Sequence, residues 1–150
     1  MTIEILLYIG AVYHLAWALF DFFWPKIFDW ENTLASLDDI QRILPPLTSR
    51  MLVVLYLGIA YISLFHTKDL LVTDLGRTVL VFVSVYWAVR AILQVRYIGF
   101  RKANGLNVAF SSYAPNLPFK NLSNKTISSI LLMEFVTASA LYLIASIFGR

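Results

Sequence analysis

Four long apolar runs take up most of the 150 residues, and three of them carry an ionisable side chain well inside the run: His14, Arg90 and Glu134. An apolar run of about 18 or more residues is long enough to cross a bilayer as a helix. An ionisable group held at membrane depth is costly, so it marks either a pairing contact or a working site. The chain therefore reads as an all-α membrane protein, residues 1–150 forming one integral membrane domain built as a four-transmembrane-helix bundle.

Composition supports this class. The chain is 59% hydrophobic and only 14% charged, where a soluble domain carries about 25% charged residues. With no cysteine, a disulfide framework, a thiolate nucleophile and Cys-ligated zinc are all excluded. The net charge of +3 sits mainly in loops, which points to membrane orientation and away from nucleic acid.

The expected spans are 3–24, 47–65, 78–98 and 127–148. The first lacks the basic start and small-residue cleavage site of a signal peptide, so it is expected to be retained. Pro25 is expected to close it, with Trp24 and Trp30 in an interfacial aromatic belt. Between spans one and two, Trp30, Leu34, Leu37, Gln41 and Leu44 recur at helical spacing. Ser36 and Asp39 resemble a capping box. This predicts a short amphipathic interfacial helix ended by Pro45 and Pro46. The short link between spans two and three predicts that these two helices are antiparallel neighbours, within a two-plus-two arrangement. Gly10, Gly58, Ala60, Ala138 and Ala145 are small enough to allow close helix approach. The linker 99–126 carries turn signals at Asn104-Gly105, Pro115 and Pro118.

Lysine and arginine distribution sets orientation. Lys26, Arg42, Arg50, Arg96, Arg101, Lys102, Lys120 and Lys125 lie in the first and third linkers, against Lys68, Arg77 and Arg150 on the other side. This predicts a multi-pass protein of the cell membrane, the inner membrane in a Gram-negative cell, with both termini non-cytoplasmic.

The ionisable residues then fall into a pattern. Gly10, His14, Trp17, Asp21 and Trp24 recur at spacings of three and four and share one face of the first helix. Trp87, Arg90, Gln94 and Tyr97 form a second stripe. Arg90 and Glu134 lie at similar depths and are expected to face one another. The predicted site is therefore an intramembrane polar cluster of His14, Trp17, Asp21, Arg90, Gln94 and Glu134, converging on the cytoplasmic half of the bundle.

This cluster fits three roles: an ion pair with hydrogen-bonded neighbours that sets helix register, a polar pocket, or a charged face for another subunit's helix. No catalytic residue, cofactor or metal site is assigned. His14 and His66 differ too much in depth to share a haem, too few ligands converge for zinc, and no HExxH, Walker or GxSxG motif occurs. The leading expectation is a non-catalytic accessory or scaffold subunit of a larger membrane complex. Its partners would be the lipid bilayer and other membrane subunits or further copies of itself, with no nucleic acid. The competing expectation is a small transporter or membrane enzyme whose polar pocket takes a lipid-like or small-molecule substrate.

Overall fold

The computed structural model describes residues 3–98 and 124–149. The linker 99–123, with its turn signals and most of its basic residues, and the Tyr97 side chain lie outside the described residues. The elements are α1 (Glu4–Ile27), α2 (Trp30–Thr33), α3 (Asp39–Phe65), α4 (Thr67–Val72), α5 (Asp74–Leu93) ending in a π-helical turn (Gln94–Ile98), and α6 (Asn124–Phe148). Helices α1, α3, α5 and α6 are long and apolar enough to cross a membrane, and no strand occurs among the described residues.

Three prolines lie inside helices that they were expected to end. Pro25 sits within α1. Its missing amide proton leaves the Asp21 carbonyl without its usual helical donor. The Ser49 hydroxyl of α3 supplies one at 2.9 Å, so the helix continues and a second helix is fastened to the break. Pro45 and Pro46 lie inside α3, and the carbonyls they orphan belong to exposed Gln41 and Arg42, where polar surroundings can satisfy them. The segment expected to form one amphipathic helix is instead divided. Its first part is the four-residue α2, and residues 39–44 are the opening turns of α3. Asp29 bends the chain before α2 with a positive φ of 47° and is held by the Asn32 amide at 2.9 Å. The expected capping box is absent, since Asp38 is the N-cap of α3 and makes no side-chain cap bond.

Close packing runs between α1 and α3 and between α5 and α6, with a further contact between α1 and α6. Both close pairs are antiparallel. Asp21 and His14 of α1 meet Ser49 and Tyr56 of α3 in reverse order, as Ser84 and Gln94 of α5 meet Ser139 and Ser128 of α6. Helices α3 and α5, expected as antiparallel neighbours, do meet, but through large rings rather than by close backbone approach. Tyr56 stacks on Trp87 with centroids 5.8 Å apart, and the Tyr56 and Tyr86 hydroxyls are 3.2 Å apart. The α3–α5 connection is therefore a helical corner rather than a tight hairpin. Thr73 caps α5 by accepting from the Gly76 amide at 2.9 Å. A Cβ at Gly76 would run into the Asp69 carbonyl and Leu70, so glycine is what lets α4 cross α5 this closely.

The core is unusually aromatic. Trp17, Tyr56, Trp87, Phe135 and Tyr142 are all buried, together with Leu7, Leu80 and a set of alanines. Ala60, Ala138 and Ala145 pack inside. Gly58 instead has no neighbour that a side chain would meet, which removes it from the helix contacts. Along α1, Phe20, Trp24 and Phe28 form a ladder with centroids 5.0 and 4.5 Å apart.

Candidate functional site

His14 is fully buried, and its surroundings determine its chemistry. The Trp87 indole N–H lies 3.1 Å from His14 Nε2. Indole can only donate, so Nε2 must be the accepting, unprotonated nitrogen, and the proton of the neutral ring sits on Nδ1. That proton points at the Gly10 carbonyl, 2.7 Å away on the preceding turn. The Tyr142 hydroxyl lies 3.1 Å from the same nitrogen and 3.3 Å from Ser63 Oγ. Both ring nitrogens are thus engaged within the chain. Rings of Tyr13, Tyr56, Trp87 and Tyr142 surround the imidazole at 5.5–5.8 Å. Gly10 makes the arrangement possible, because a Cβ there would lie 2.5 Å from the Tyr142 hydroxyl oxygen. Trp17 packs against Phe135 and Trp87 with centroids 5.6 and 6.0 Å away. His66 is separate from this network and pairs with Asp69 at 3.2 Å beyond the end of α3.

The charged residues are arranged differently from the expected facing pair. Arg90 extends over the Phe135 ring, 5.4 Å from its centroid. The buried Asp21 carboxylate of α1 is near enough to feel the charge of the guanidinium without touching it. Among the described residues no ion pair joins Arg90 to Glu134 or to Asp21. Neighbours on a helix diverge by about 100°, so an arginine lying on Phe135 finds Glu134 turned away. Gln94 is buried at the start of the π-helical turn and donates to Ser128 Oγ at 3.3 Å.

Glu134 instead lines a groove of about 400 Å³ between α1 and α6. Ile9, Gly10 and Tyr13 form one wall, and the other runs along α6 from Ile130 to Tyr142. Glu134 and Thr137 bring polar groups to this otherwise apolar surface, and both are exposed. The Tyr13 hydroxyl is buried without a hydrogen-bond partner. The Trp17 indole is close enough to act on it as a hydrogen-bonding neighbour, though outside good geometry, and the Glu134 carboxylate acts on it only through its charge. A buried hydroxyl left unpaired costs about 1–3 kcal/mol, and this one has almost no accessible surface of its own.

Of the six residues expected to converge, the structure brings His14 and Trp17 into the aromatic core. It sets Asp21 by Arg90, places Gln94 against α6 and leaves Glu134 on the outer groove. Tyr13, Thr137 and Tyr142 were not singled out from sequence. A helical projection would have found two of them, since Gly10 and Tyr13 share a face, as do Glu134, Thr137, Ala138 and Leu141. Among the described residues no three of His, Asp and Glu gather to hold a metal ion. No protein-family model, curated protein or solved structure matches the chain.

Proposed function

We propose that this chain is a multi-pass membrane protein that binds a lipid-like molecule in the lateral groove between α1 and α6. The supporting observation is the pairing of polar groups. His14 is engaged at both nitrogens, Gln94 meets Ser128, and Asp21 lies near enough to feel the charge of Arg90. Glu134 is left facing the groove with Thr137 beside it. Its volume falls within the roughly 300–1,000 Å³ of small-molecule sites, which combine apolar walls with a few polar groups. Both termini face away from the cytoplasm in this reading, and residues 30–44 lie along the interface. Because the chain has no cysteine, single cysteines placed near each terminus and labelled from either side of a vesicle test the orientation without background.

Native mass spectrometry of protein taken from its own membrane tests the groove. A lipid-like adduct is expected on the wild type and should be absent from T137W, whose indole fills the groove. The same adduct on both, or none on either, refutes the proposal.

One observation favours a second role, as an accessory or scaffold subunit of a larger membrane complex. The buried His14 is spent on packing, as a rigid non-catalytic element requires. Assembly with other membrane subunits or with itself predicts a defined complex on mild extraction that survives T137W; a lone monomer at all concentrations counts against it.

A further inference from the structure

Asp21 and Arg90 are the charged groups that the packing of the bundle leaves unmatched. Asp21 is only 6% exposed. Its carbonyl accepts from Ser49, but among the described residues its carboxylate takes part in no hydrogen bond and no ion pair. Arg90 is half-buried and rests on Phe135, with no carboxylate in contact. The two feel one another's charge across a gap wider than an ion pair, and the Tyr56 phenol of α3 feels both. A carboxylate and a guanidinium held inside a bundle without touching each other or another partner meet their polar demand through water. Their atoms are open to it. Among the described residues, the unpaired side-chain atoms sealed from solvent are the Tyr13 hydroxyl and Arg77 Nε, so the Asp21 oxygens and the Arg90 nitrogens keep accessible surface.

Depth permits water to arrive. Asp21 lies about 9 Å from the Ile27 end of α1, and Arg90 about 9 Å from the Arg96 end of its span. The headgroup region takes up some 5–8 Å of that distance, so the charged gap lies within one helical turn of it. Water then stops at a layer of rings. Trp17, Tyr56, Trp87 and Phe135 come one from each long helix, and all four are buried. Their neighbouring centroids are 5.4–6.4 Å apart. Trp17 precedes Asp21 by one turn and Trp87 precedes Arg90 by three residues, which sets the layer directly beneath the charges. We propose that Asp21 and Arg90 line a water-filled inlet, open at the Ile27 and Arg96 end of the bundle and sealed by this four-ring plug. Its ligand is water, held by the acceptor oxygens of the carboxylate and the N–H donors of the guanidinium. The inlet is separate from the α1–α6 groove and stands whether or not that groove binds a lipid.

The chain has no cysteine, so single cysteines in membrane vesicles report the inlet through a charged, membrane-impermeant thiosulfonate reagent. D21C and F22C sit side by side at one depth, but Phe22 is 67% exposed on the outer flank, toward lipid. A thiol reacts as its thiolate, and hydrocarbon disfavours that charge, so a lipid-facing cysteine is slow despite its exposure. D21C is expected to react at least about tenfold faster than F22C, and only from the Ile27 side of the membrane. L80C, about two turns beyond Trp87, should stay unlabelled. Equal rates for D21C and F22C on protein that elutes normally from gel filtration would overturn the inlet. Labelling of L80C as fast as D21C would overturn the plug. The wild-type chain in lipid bilayers gives a check that does not depend on the folding of D21C. Solid-state NMR should transfer magnetisation from water to the Arg90 guanidinium, a signal assigned by its loss in R90K. Without that transfer, Asp21 and Arg90 form a dry pair and the proposal fails.

Discussion

The Ser49 hydroxyl on the Asp21 carbonyl makes a sharp prediction, because the need for that bond is written into α1 by Pro25. In S49A the carbonyl loses its hydroxyl donor at 2.9 Å, and the proline ring offers no amide to replace it. The site is buried, with Ser49 8% exposed, so water cannot readily repair the loss. Leaving such a group unpaired costs about 1–3 kcal/mol, whereas interhelical bonds between spanning helices average only about 0.6 kcal/mol because alternative partners are found. The upper range should apply here, since the usual alternative, the helix's own amide, is missing. We expect S49A to destabilise the protein by about 1–2 kcal/mol. P25A returns the amide of residue 25 to the Asp21 carbonyl, so S49A made in P25A should cost under about 0.5 kcal/mol. The coupling is then about 1 kcal/mol, well within what a double-mutant cycle resolves. Unfolding in mixed micelles by rising SDS fraction, followed by tryptophan fluorescence, measures all four proteins. An S49A penalty that is equal in both backgrounds would refute the idea that proline creates the need for serine.

Three further outcomes follow from the core. H14F removes the acceptor for Trp87 and should cost about 1–3 kcal/mol for the stranded indole donor, with H14F/W87F recovering part of it; nitrogen NMR should find the proton of wild-type His14 on Nδ1. G10A forces a methyl against the Tyr142 hydroxyl and should cost about 1–3 kcal/mol by overpacking, less in a Y142F background, measured by the same SDS titration. Double-mutant cycles with R90M should give a coupling above about 1 kcal/mol with D21N and under about 0.5 kcal/mol with E134Q; the reverse order would restore the Arg90–Glu134 pair.

The long helices were legible because apolar length is a one-dimensional property, and four such runs can be read by eye. The buried face of α1 was legible for a related reason: Gly10, His14, Trp17 and Asp21 keep helical spacing, and all four are buried. Depth along a helix also follows from counting, which is why Arg90 and the Glu134 region share a level. Direction around the helix does not follow from counting alone, because it depends on how α5 and α6 are rotated against one another. Arg90 therefore meets Phe135 rather than Glu134. The prolines misled for a different reason. Their local cost is real, but Ser49, far away in sequence, offsets it at Pro25, and exposure relieves it at Pro45 and Pro46.

The rings between α3 and α5 have a mechanical consequence. The pair α1–α3 and the pair α5–α6 approach closely along the α1–α6 edge and are propped apart on the other side by Tyr56, Tyr86 and Trp87. Trp87 also reaches His14 of α1 and Phe135 of α6, so the same ring bears on all four long helices. The bulk of those three rings therefore bears on how the flank of α1 stands against the flank of α6. Side chains that line no part of the groove thereby bear on its width, and trimming those rings is a way to retune the opening without touching its walls.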